Sequence, residues 1–201
     1  MTVRSVDLAT EDQLTEAVGL RLLAEWKDRL SAGLRLRKGG NGYLRSRIRS
    51  FAEIARRGPV LVITDLDRLP CVTELRKLWI SEMEEPAGLI LRVAVREIEA
   101  WILADSDAIR ELLGRRAADR LPANPDLVPD PKNLLLRLAS TAPRDVRDDL
   151  RRETNGVAFQ NLGYNARLCS FVANSWDPAR AAQRSESLRR ARERLRALAL
   201  E

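Results

Sequence analysis

The stretch Val60-Leu61-Val62-Ile63-Thr64-Asp65-Leu66-Asp67 is the most informative part of the sequence. It follows Gly58-Pro59 and is apolar and rich in β-branched residues, which is typical of a strand buried on both faces of a parallel α/β sheet. Such sheets bind ligands beyond the carboxyl ends of their strands, where Asp65 and Asp67 would offer oxygen ligands to a divalent cation. The alternative is that Asp65 caps the next helix and Asp67 faces water, and this stretch alone leaves both interpretations open.

Segments on both sides of this stretch predict three more strands. Residues 3–9, 34–37 and 89–95 have strand patterns, and helical spacing predicts helices over 10–30, 43–57, 71–83 and 96–105, with Thr10 as the N-cap of the first. The order βαβαβαβα predicts an α/β fold, in which a Rossmann-like parallel sheet of about four strands is flanked by helices through right-handed crossovers.

The sequence changes character after Leu113. Residues 121–132 contain four prolines and predict an irregular loop, and helices are predicted over 133–140, 144–153, 164–173 and 178–200. No strand is expected after Val95. We therefore expect an α/β body over residues 1–113 and, over residues 114–201, a helical extension packed on that body within a single structural domain.

The composition limits the chemistry that the chain can perform. The 201 residues include no histidine and two cysteines, which excludes Ser-His-Asp and Cys-His catalysis, histidine-ligated zinc and a four-thiolate zinc site within one chain. Carboxylates are therefore the main candidates for catalysis. The net charge of +6 favours polyanionic partners such as nucleic acid, although many arginines are expected on solvated helix faces.

The sequence contains no apolar run long enough to cross a bilayer and no pattern of a secretory signal at the N-terminus. Two cysteines suggest no disulfide framework. We therefore expect a cytoplasmic protein without a membrane partner.

Acidic residues follow three of the predicted strands. Glu11 follows the first strand, Asp65 and Asp67 follow the third, and Glu97 and Glu99 follow the fourth. If these strand ends share one edge of the sheet, the carboxylates repel each other unless a cation neutralises them or one takes up a proton. Mg²⁺ or Mn²⁺ is the simplest solution, and it can activate water and polarise a phosphoryl oxygen. The alternative is that these acids cap helices and interact with helix dipoles.

The same residues resemble a known family. An acidic residue after the first strand, Asp65-Leu66-Asp67 and Glu97-Ile98-Glu99-Ala100-Trp101 together resemble the Toprim fold of topoisomerases, bacterial primases and overcoming-lysogenization-defect (OLD) nucleases. More closely, the sequence is similar to small Toprim-like bacterial proteins encoded beside ATPases in defence clusters. Further matches are Glu11 to Ala17, Arg37-Lys38-Gly39-Gly40, Cys71, Asp105, Trp176-Asp177-Pro178 and Arg184 to Ser187, so the resemblance spans most of the chain.

The resemblance implies a Toprim-like fold and a set of acidic residues that act as metal ligands and in catalysis. That set comprises Glu11, Asp65 and Asp67, with Glu97 or Glu99 as an addition. It also implies a role in phage defence and an ATPase partner. Asp12 stands where Toprim proteins usually have a glycine, and the stretch before Glu11 is less hydrophobic than a typical first strand, which affects the placement of Glu11.

A basic, glycine-rich segment precedes the second long helix. Lys38-Gly39-Gly40-Asn41-Gly42 lacks the spacing of a P-loop, but it can bring backbone N–H groups close to a phosphate. Together with Arg45 and Arg49, Lys38 is a candidate contact for the nucleic-acid backbone. The alternative is a tight turn that needs a positive φ.

These observations lead to an expected function with two alternatives. We expect a nuclease that depends on Mg²⁺ or Mn²⁺ and hydrolyses phosphodiester bonds in nucleic acid, DNA or RNA. The alternatives are a non-catalytic module that binds nucleic acid or a protein in an ATPase-containing complex, and a metal-dependent phosphatase or nucleotide hydrolase. The sequence leaves open whether the chain forms a homo-oligomer.

Overall fold

The computed structural model describes residues 2–37 and 42–201. The strands are β1 (Arg4–Thr10), β2 (Leu30–Arg37), β3 (Val60–Asp65), β4 (Leu89–Ala94), β5 (Arg151–Thr154) and β6 (Val157–Gln160). The helices are α1 (Gln13–Ala24), α2 (Tyr43–Ala55), α3 (Val72–Ile80), α4 (Ile98–Leu103), α5 (Ser106–Leu113), α6 (Arg115–Ala118), α7 (Pro131–Leu138), α8 (Arg144–Leu150), α9 (Tyr164–Asn174), α10 (Pro178–Ala181) and α11 (Glu186–Leu200). Two single 3₁₀ turns occupy Pro125–Leu127 and Ala139–Thr141.

The first four strands form one parallel sheet in the order β2-β1-β3-β4. This confirms the predicted α/β fold with a four-stranded parallel sheet flanked by helices. The apolar run of β3 is buried from Val60 to Thr64, as expected for a central strand covered on both faces. Its register places Leu61 beside Leu8 of β1 and beside Ile90 of β4.

The chain divides into two compact units, which are described separately. We call Met1–Ala94 with Arg190–Glu201 the sheet unit, and Val95–Arg189 the helical unit. The sheet unit contains the parallel sheet, α1 to α3 and the C-terminal part of α11. The division after residue 113 that the composition suggests stays a prediction.

The helical unit is built around large aromatic side chains. Trp101, Tyr164 and Trp176 are almost completely buried, and the indole Nε1 of Trp176 donates to the carbonyl oxygen of Trp101 at 3.1 Å. The Nε1 of Trp101 donates to the hydroxyl of Ser187 at 2.7 Å. Both indole N–H groups thus have the partners that buried polar groups require.

The expectation that no strand follows Val95 was wrong. A two-stranded antiparallel hairpin, β5–β6, lies in the helical unit, and α8 ends at Leu150 instead of continuing to residue 153. Asn155 and Gly156 join the strands with φ values of 52° and 76°, the left-handed conformations of a tight hairpin turn. The charged segment over residues 151–153 has no apolar alternation, so the sequence pattern did not predict these strands.

Two predicted helices end or restart at different residues. The first ends at Ala24 instead of near residue 30, and turns lead from there into β2. The final helix predicted over 178–200 is two helices, because the hydroxyl of Ser185 accepts from the backbone N–H of Leu188 and begins α11 anew. None of the described helices combines the length and apolar character needed to cross a membrane.

Candidate functional site

Between β1 and β3, the chain changes the direction in which it adds strands to the sheet, and the carboxyl ends of these two strands lie at this point. β1 lies between β2 and β3, so α1 leads from β1 toward one edge strand, whereas α3 leads from β3 toward the other. Crevices in open α/β sheets occur at such a topological switch point. Glu11 directly follows β1 and Asp65 ends β3, so the sequence brings carboxylates to this position.

Glu11 is held in place by its neighbour on β3. The hydroxyl of Thr64, itself 2 % exposed, donates to Oε1 of Glu11 at 2.8 Å. Burial raises the pKa of Glu11, the hydrogen bond from Thr64 opposes this rise, and the charges of Asp67 and Asp12 add to it. Glu11 therefore lies close enough to Asp67 for their charges to repel each other.

Asp65 and Asp67 follow from the way β3 ends. Asp65 is in register with Ala94 of β4, and the N–H of Leu66 continues the pairing by donating to the carbonyl oxygen of Ala94 at 2.9 Å. The backbone of Asp67 then turns into the left-handed region, with a φ of 52°, and its side chain is exposed. Aspartate tolerates this conformation better than most residues, and strained backbone is common near functional sites.

The N-cap of α1 is Asp12, so the prediction of Thr10 was wrong. The carboxylate of Asp12 accepts from the N–H of Thr15 at 2.7 Å. Thr10 belongs to β1 and is fully buried, because the strand continues one residue further than the sequence suggested. The aspartate that departs from the Toprim pattern thus has a local role in starting α1.

Glu97 and Glu99 lie together in the helical unit at the start of α4. Oε2 of Glu97 accepts from the backbone N–H of Lys132 at 2.9 Å, so Glu97 satisfies a free donor in the first turn of α7. Glu99 is 4 % exposed, and its Oε1 accepts from the hydroxyl of Tyr164 at 2.8 Å. Both glutamates thus bind groups of their own unit.

Burial is the largest cause that raises the pKa of Glu99, as it is for Glu11, but the charged groups near the two glutamates differ. Burial raises the pKa, whereas the hydrogen bond from Tyr164 and the charge of Lys132 lower it, and Glu97 raises it slightly. The ammonium group of Lys132 also lies 5.3 Å from the centre of the Tyr164 ring. Sequence reasoning missed Lys132 and Tyr164, because they lie over thirty residues beyond Glu99 and share no motif with it.

Asp105, which matched the family pattern, is a structural residue of the helical unit. Its side chain is fully buried and accepts two hydrogen bonds from the guanidinium of Arg180, at 2.9 and 2.8 Å. The backbone N–H groups of Ala108 and Asp177 also donate to it. This arrangement leaves the carboxylate fully used in capping α5 and fixing α10.

A basic groove of about 520 Å³ lies between α2 and α3 in the sheet unit. Arg45, Arg49 and Lys77 contribute cations to it, and Trp79 and Met83 contribute apolar surface. Arg49 contacts Glu82 at 3.4 Å and Lys77 contacts Glu74 at 3.1 Å. These are exposed ion pairs, which exchange readily for other partners. The third predicted contact, Lys38, lies outside the described residues.

The structure thus places Glu11, Asp65 and Asp67 at the carboxyl ends of β1 and β3, a position that we call the acidic edge. It groups Glu97 with Glu99 in the helical unit. Among residues 2–37 and 42–201, no three or more acidic or cysteine side chains are arranged to hold a metal ion. The assignment of these five residues as metal ligands therefore stays a prediction.

The chain is similar to two solved structures of the C-terminal region of the Xanthomonas campestris pv. campestris OLD protein. The structure phased with iodine has 19 % sequence identity and a TM-score of 0.45, and the one phased with mercury has 18 % identity and a TM-score of 0.44. Each similarity covers 100 % of this chain and 98 % of the other. No protein-family model and no curated protein matches the sequence. A likeness of this degree assigns no activity to the chain.

Proposed function

We propose that the chain is a phosphodiesterase that acts on nucleic acid with Mg²⁺ or Mn²⁺ bound at the switch point of the sheet unit. The observation that carries the proposal is the hydrogen bond from Thr64 to Glu11, which joins Glu11, just beyond β1, to the carboxyl end of β3, where Asp65 and Asp67 lie. The charges of Glu11 and Asp67 repel each other, and this repulsion and the burial of Glu11 both favour the arrival of a cation. The motif resemblance to Toprim proteins supports the same residues.

The donors at this edge suit magnesium. Mg²⁺ is usually bound through one or two carboxylates, keeps several waters and completes its coordination with substrate phosphates. Glu11 and Asp67 would supply the carboxylates, and Asp65, at the end of β3, is the third acid of the set. When bound, such an ion activates a water molecule and polarises the phosphoryl oxygen under attack.

The residues of the chain have distinct parts in this proposal. Thr64 fixes the orientation of the Glu11 carboxylate through its hydroxyl. Asp67 adopts a left-handed backbone conformation just beyond β3 and is exposed, so an approaching substrate could reach it. No histidine is needed for these steps, in agreement with the composition.

The groove between α2 and α3 is the proposed contact for the nucleic-acid backbone. Because α2 connects the carboxyl end of β2 to the amino end of β3, its first turn, with Arg45, starts on the side of the acidic edge. Arg49 and Lys77 continue the positive charge along the groove. Cations in such positions bind phosphates without reading the sequence.

Other expectations stay predictions. Lys38 as a phosphate contact and Glu97 or Glu99 as further ligands rest on the sequence pattern. The role in phage defence and the ATPase partner rest on the family resemblance alone.

A nuclease assay tests the proposal directly. Labelled single- and double-stranded DNA and RNA are incubated with the wild-type chain and Mg²⁺, Mn²⁺ or EDTA, and the same is done for Asp67→Asn. Cleavage that requires the metal and falls by about 10- to 100-fold or more in Asp67→Asn supports the proposal, since the loss of even an outer-shell partner of a metal commonly costs this much. Asp28→Asn is the matched control, because Asp28 is exposed in the turn before β2, at the opposite edge of the sheet.

The other outcomes distinguish the alternatives. Hydrolysis of mononucleotides or small phosphate esters, with polymers left intact, would replace the proposal with a metal-dependent phosphatase. Binding of nucleic acid that is equally strong with EDTA, without any cleavage, would replace it with a non-catalytic binding module. Cleavage that Asp67→Asn leaves unchanged would show that the acidic edge is not the active site.

A further inference from the structure

Arg92 is an unusual residue for the middle of a sheet strand. It interrupts the apolar sequence of β4, whose other residues are all buried, and it is half-buried itself. Its Nη1 donates to the carbonyl oxygen of the adjacent Leu91 at 3.2 Å. Its Nε is buried and has no hydrogen-bond partner in the part of the chain that the structure describes. A guanidinium that is taken out of water in this way is unfavourable unless an anion compensates it.

Two more arginines act on Arg92 from neighbouring elements of the sheet unit. Arg76 belongs to α3, and Arg194 belongs to the C-terminal part of α11. The pKa of Arg92 is lowered to about 10, and burial is the largest cause of this shift, followed by the charges of Arg194 and Arg76. Glu85 alone acts in the opposite direction among the causes that affect Arg92.

The acids near these arginines are already engaged. Glu85 accepts from Arg76 at 2.6 Å. Glu201 is shared between Arg194 at 3.1 Å and Arg4 at 3.2 Å. Arg194 also donates to the carbonyl oxygen of Ala87, just before β4. Neither carboxylate makes a hydrogen bond with Arg92, so its charge is poorly compensated within the unit.

We propose that Arg76, Arg92 and Arg194, which we call the arginine cluster, form a binding site for a small phosphate-bearing anion such as inorganic phosphate, pyrophosphate or a nucleotide phosphate. A phosphate group has several oxygens that can accept from three guanidinium groups at once, and arginine suits such bidentate contacts. A compact ligand is expected because the central arginine is recessed in β4, where an extended polymer would reach it less easily. The site is independent of the acidic edge and of the proposed nuclease activity.

The competing explanation is that Arg92 is structural, packing its aliphatic stem on apolar neighbours while its head group reaches water. The two explanations differ in what Arg92→Met does. Methionine retains an apolar stem and removes the charge. A structural arginine would leave the variant less stable, whereas an uncompensated charge would leave it at least as stable as the wild type in a buffer without phosphate.

The experiment measures thermal unfolding and calorimetric binding with pyrophosphate as the probe. In a low-salt buffer without phosphate, Arg92→Met should unfold at the same temperature as the wild type or higher. Pyrophosphate should raise the unfolding temperature of the wild type by a few degrees and should bind Arg92→Met at least about tenfold more weakly, since a charge-assisted contact is lost. Arg194→Met tests the same loss of binding at a second residue, which lies in α11 and not in β4.

The control is Arg47→Met, which removes an exposed arginine of α2 and should leave pyrophosphate binding unchanged. If pyrophosphate has the same effect on the wild type, Arg92→Met and Arg47→Met, it acts only as a general ionic solute, and the proposal is overturned. A destabilised Arg92→Met with undiminished pyrophosphate binding would show that Arg92 is structural. A single-stranded oligonucleotide that displaces pyrophosphate and requires Arg92 would assign the cluster to nucleic acid instead.

Discussion

Glu11 in the sheet unit is a half-buried glutamate and Glu99 in the helical unit an almost fully buried one, and the charges beside them have opposite signs. Each accepts a hydrogen bond of 2.8 Å from a hydroxyl, and burial raises the pKa of each. Asp67 and Asp12 raise the pKa of Glu11 further, whereas Lys132 lowers that of Glu99. The helical unit thus compensates its buried acid from within, whereas the compensation of Glu11 by a cation is what we propose.

The largest effect is expected where the compensation is most complete, at Asp105 in the helical unit. Arg180→Met removes the guanidinium that binds its fully buried carboxylate. Breaking a buried pair by removing one partner leaves an uncompensated charge, so we expect a loss of about 3 kcal/mol in the free energy of unfolding. Urea denaturation at neutral pH measures it. Arg144→Met, at an exposed arginine of the same unit, is the control. A loss for Arg180→Met no greater than that of the control would contradict the claim that Arg180 compensates the buried charge of Asp105.

A smaller loss is expected for Tyr164→Phe. The change leaves the almost fully buried Glu99 without its hydroxyl donor, which costs about 2 kcal/mol. The matched change in the sheet unit is Thr64→Val, which removes the donor to Glu11. Mn²⁺ should restore stability to Thr64→Val and not to Tyr164→Phe, because an ion at the acidic edge replaces the lost donor. Equal rescue of both variants, measured by thermal unfolding, would remove the distinction between the two sites.

The smallest effect is the pH dependence of stability. A carboxyl group whose pKa is higher in the folded protein than in the unfolded chain stabilises the fold below the unfolded pKa, and this contribution is lost as the pH rises through the folded pKa. The stability that Glu11 contributes should therefore fall as the pH rises from about 4.5. Glu11→Gln should reduce that fall by roughly 0.5 kcal/mol, the scale of a partly exposed charge. Urea denaturation from pH 4 to 7 gives this difference, and an unchanged slope would contradict the raised pKa of Glu11.

The sequence was sufficient for the parallel sheet because its strands are apolar runs and its helices alternate with them. It also placed Asp65 and Asp67 at the carboxyl end of β3, since both come at the end of the apolar run. The compensating residues could not be predicted: Lys132 and Tyr164 reach the start of α4 only through the packing of α7 and α9. Likewise, the β5–β6 hairpin is charged on one strand and lacks the alternation by which a half-buried strand is recognised.

Arg92 illustrates a different limit of sequence reasoning. An arginine within an apolar strand is visible in the sequence, but its electrostatic surroundings depend on α3 and α11, which are over a hundred residues apart. Only the folded sheet unit reveals that the nearby charges are mainly positive. Charge patterns along the chain therefore predict a basic protein but not the place where the positive charge is concentrated.

The most direct test of the central claim is a calorimetric titration of Mn²⁺ into the wild type, Glu11→Gln and Asp28→Asn. The account predicts one binding event in the wild type and in Asp28→Asn, and at least about tenfold weaker binding in Glu11→Gln, because one of two carboxylate ligands is lost. Equal affinity in all three proteins, or no binding to any of them, would contradict a divalent cation at the carboxyl ends of β1 and β3.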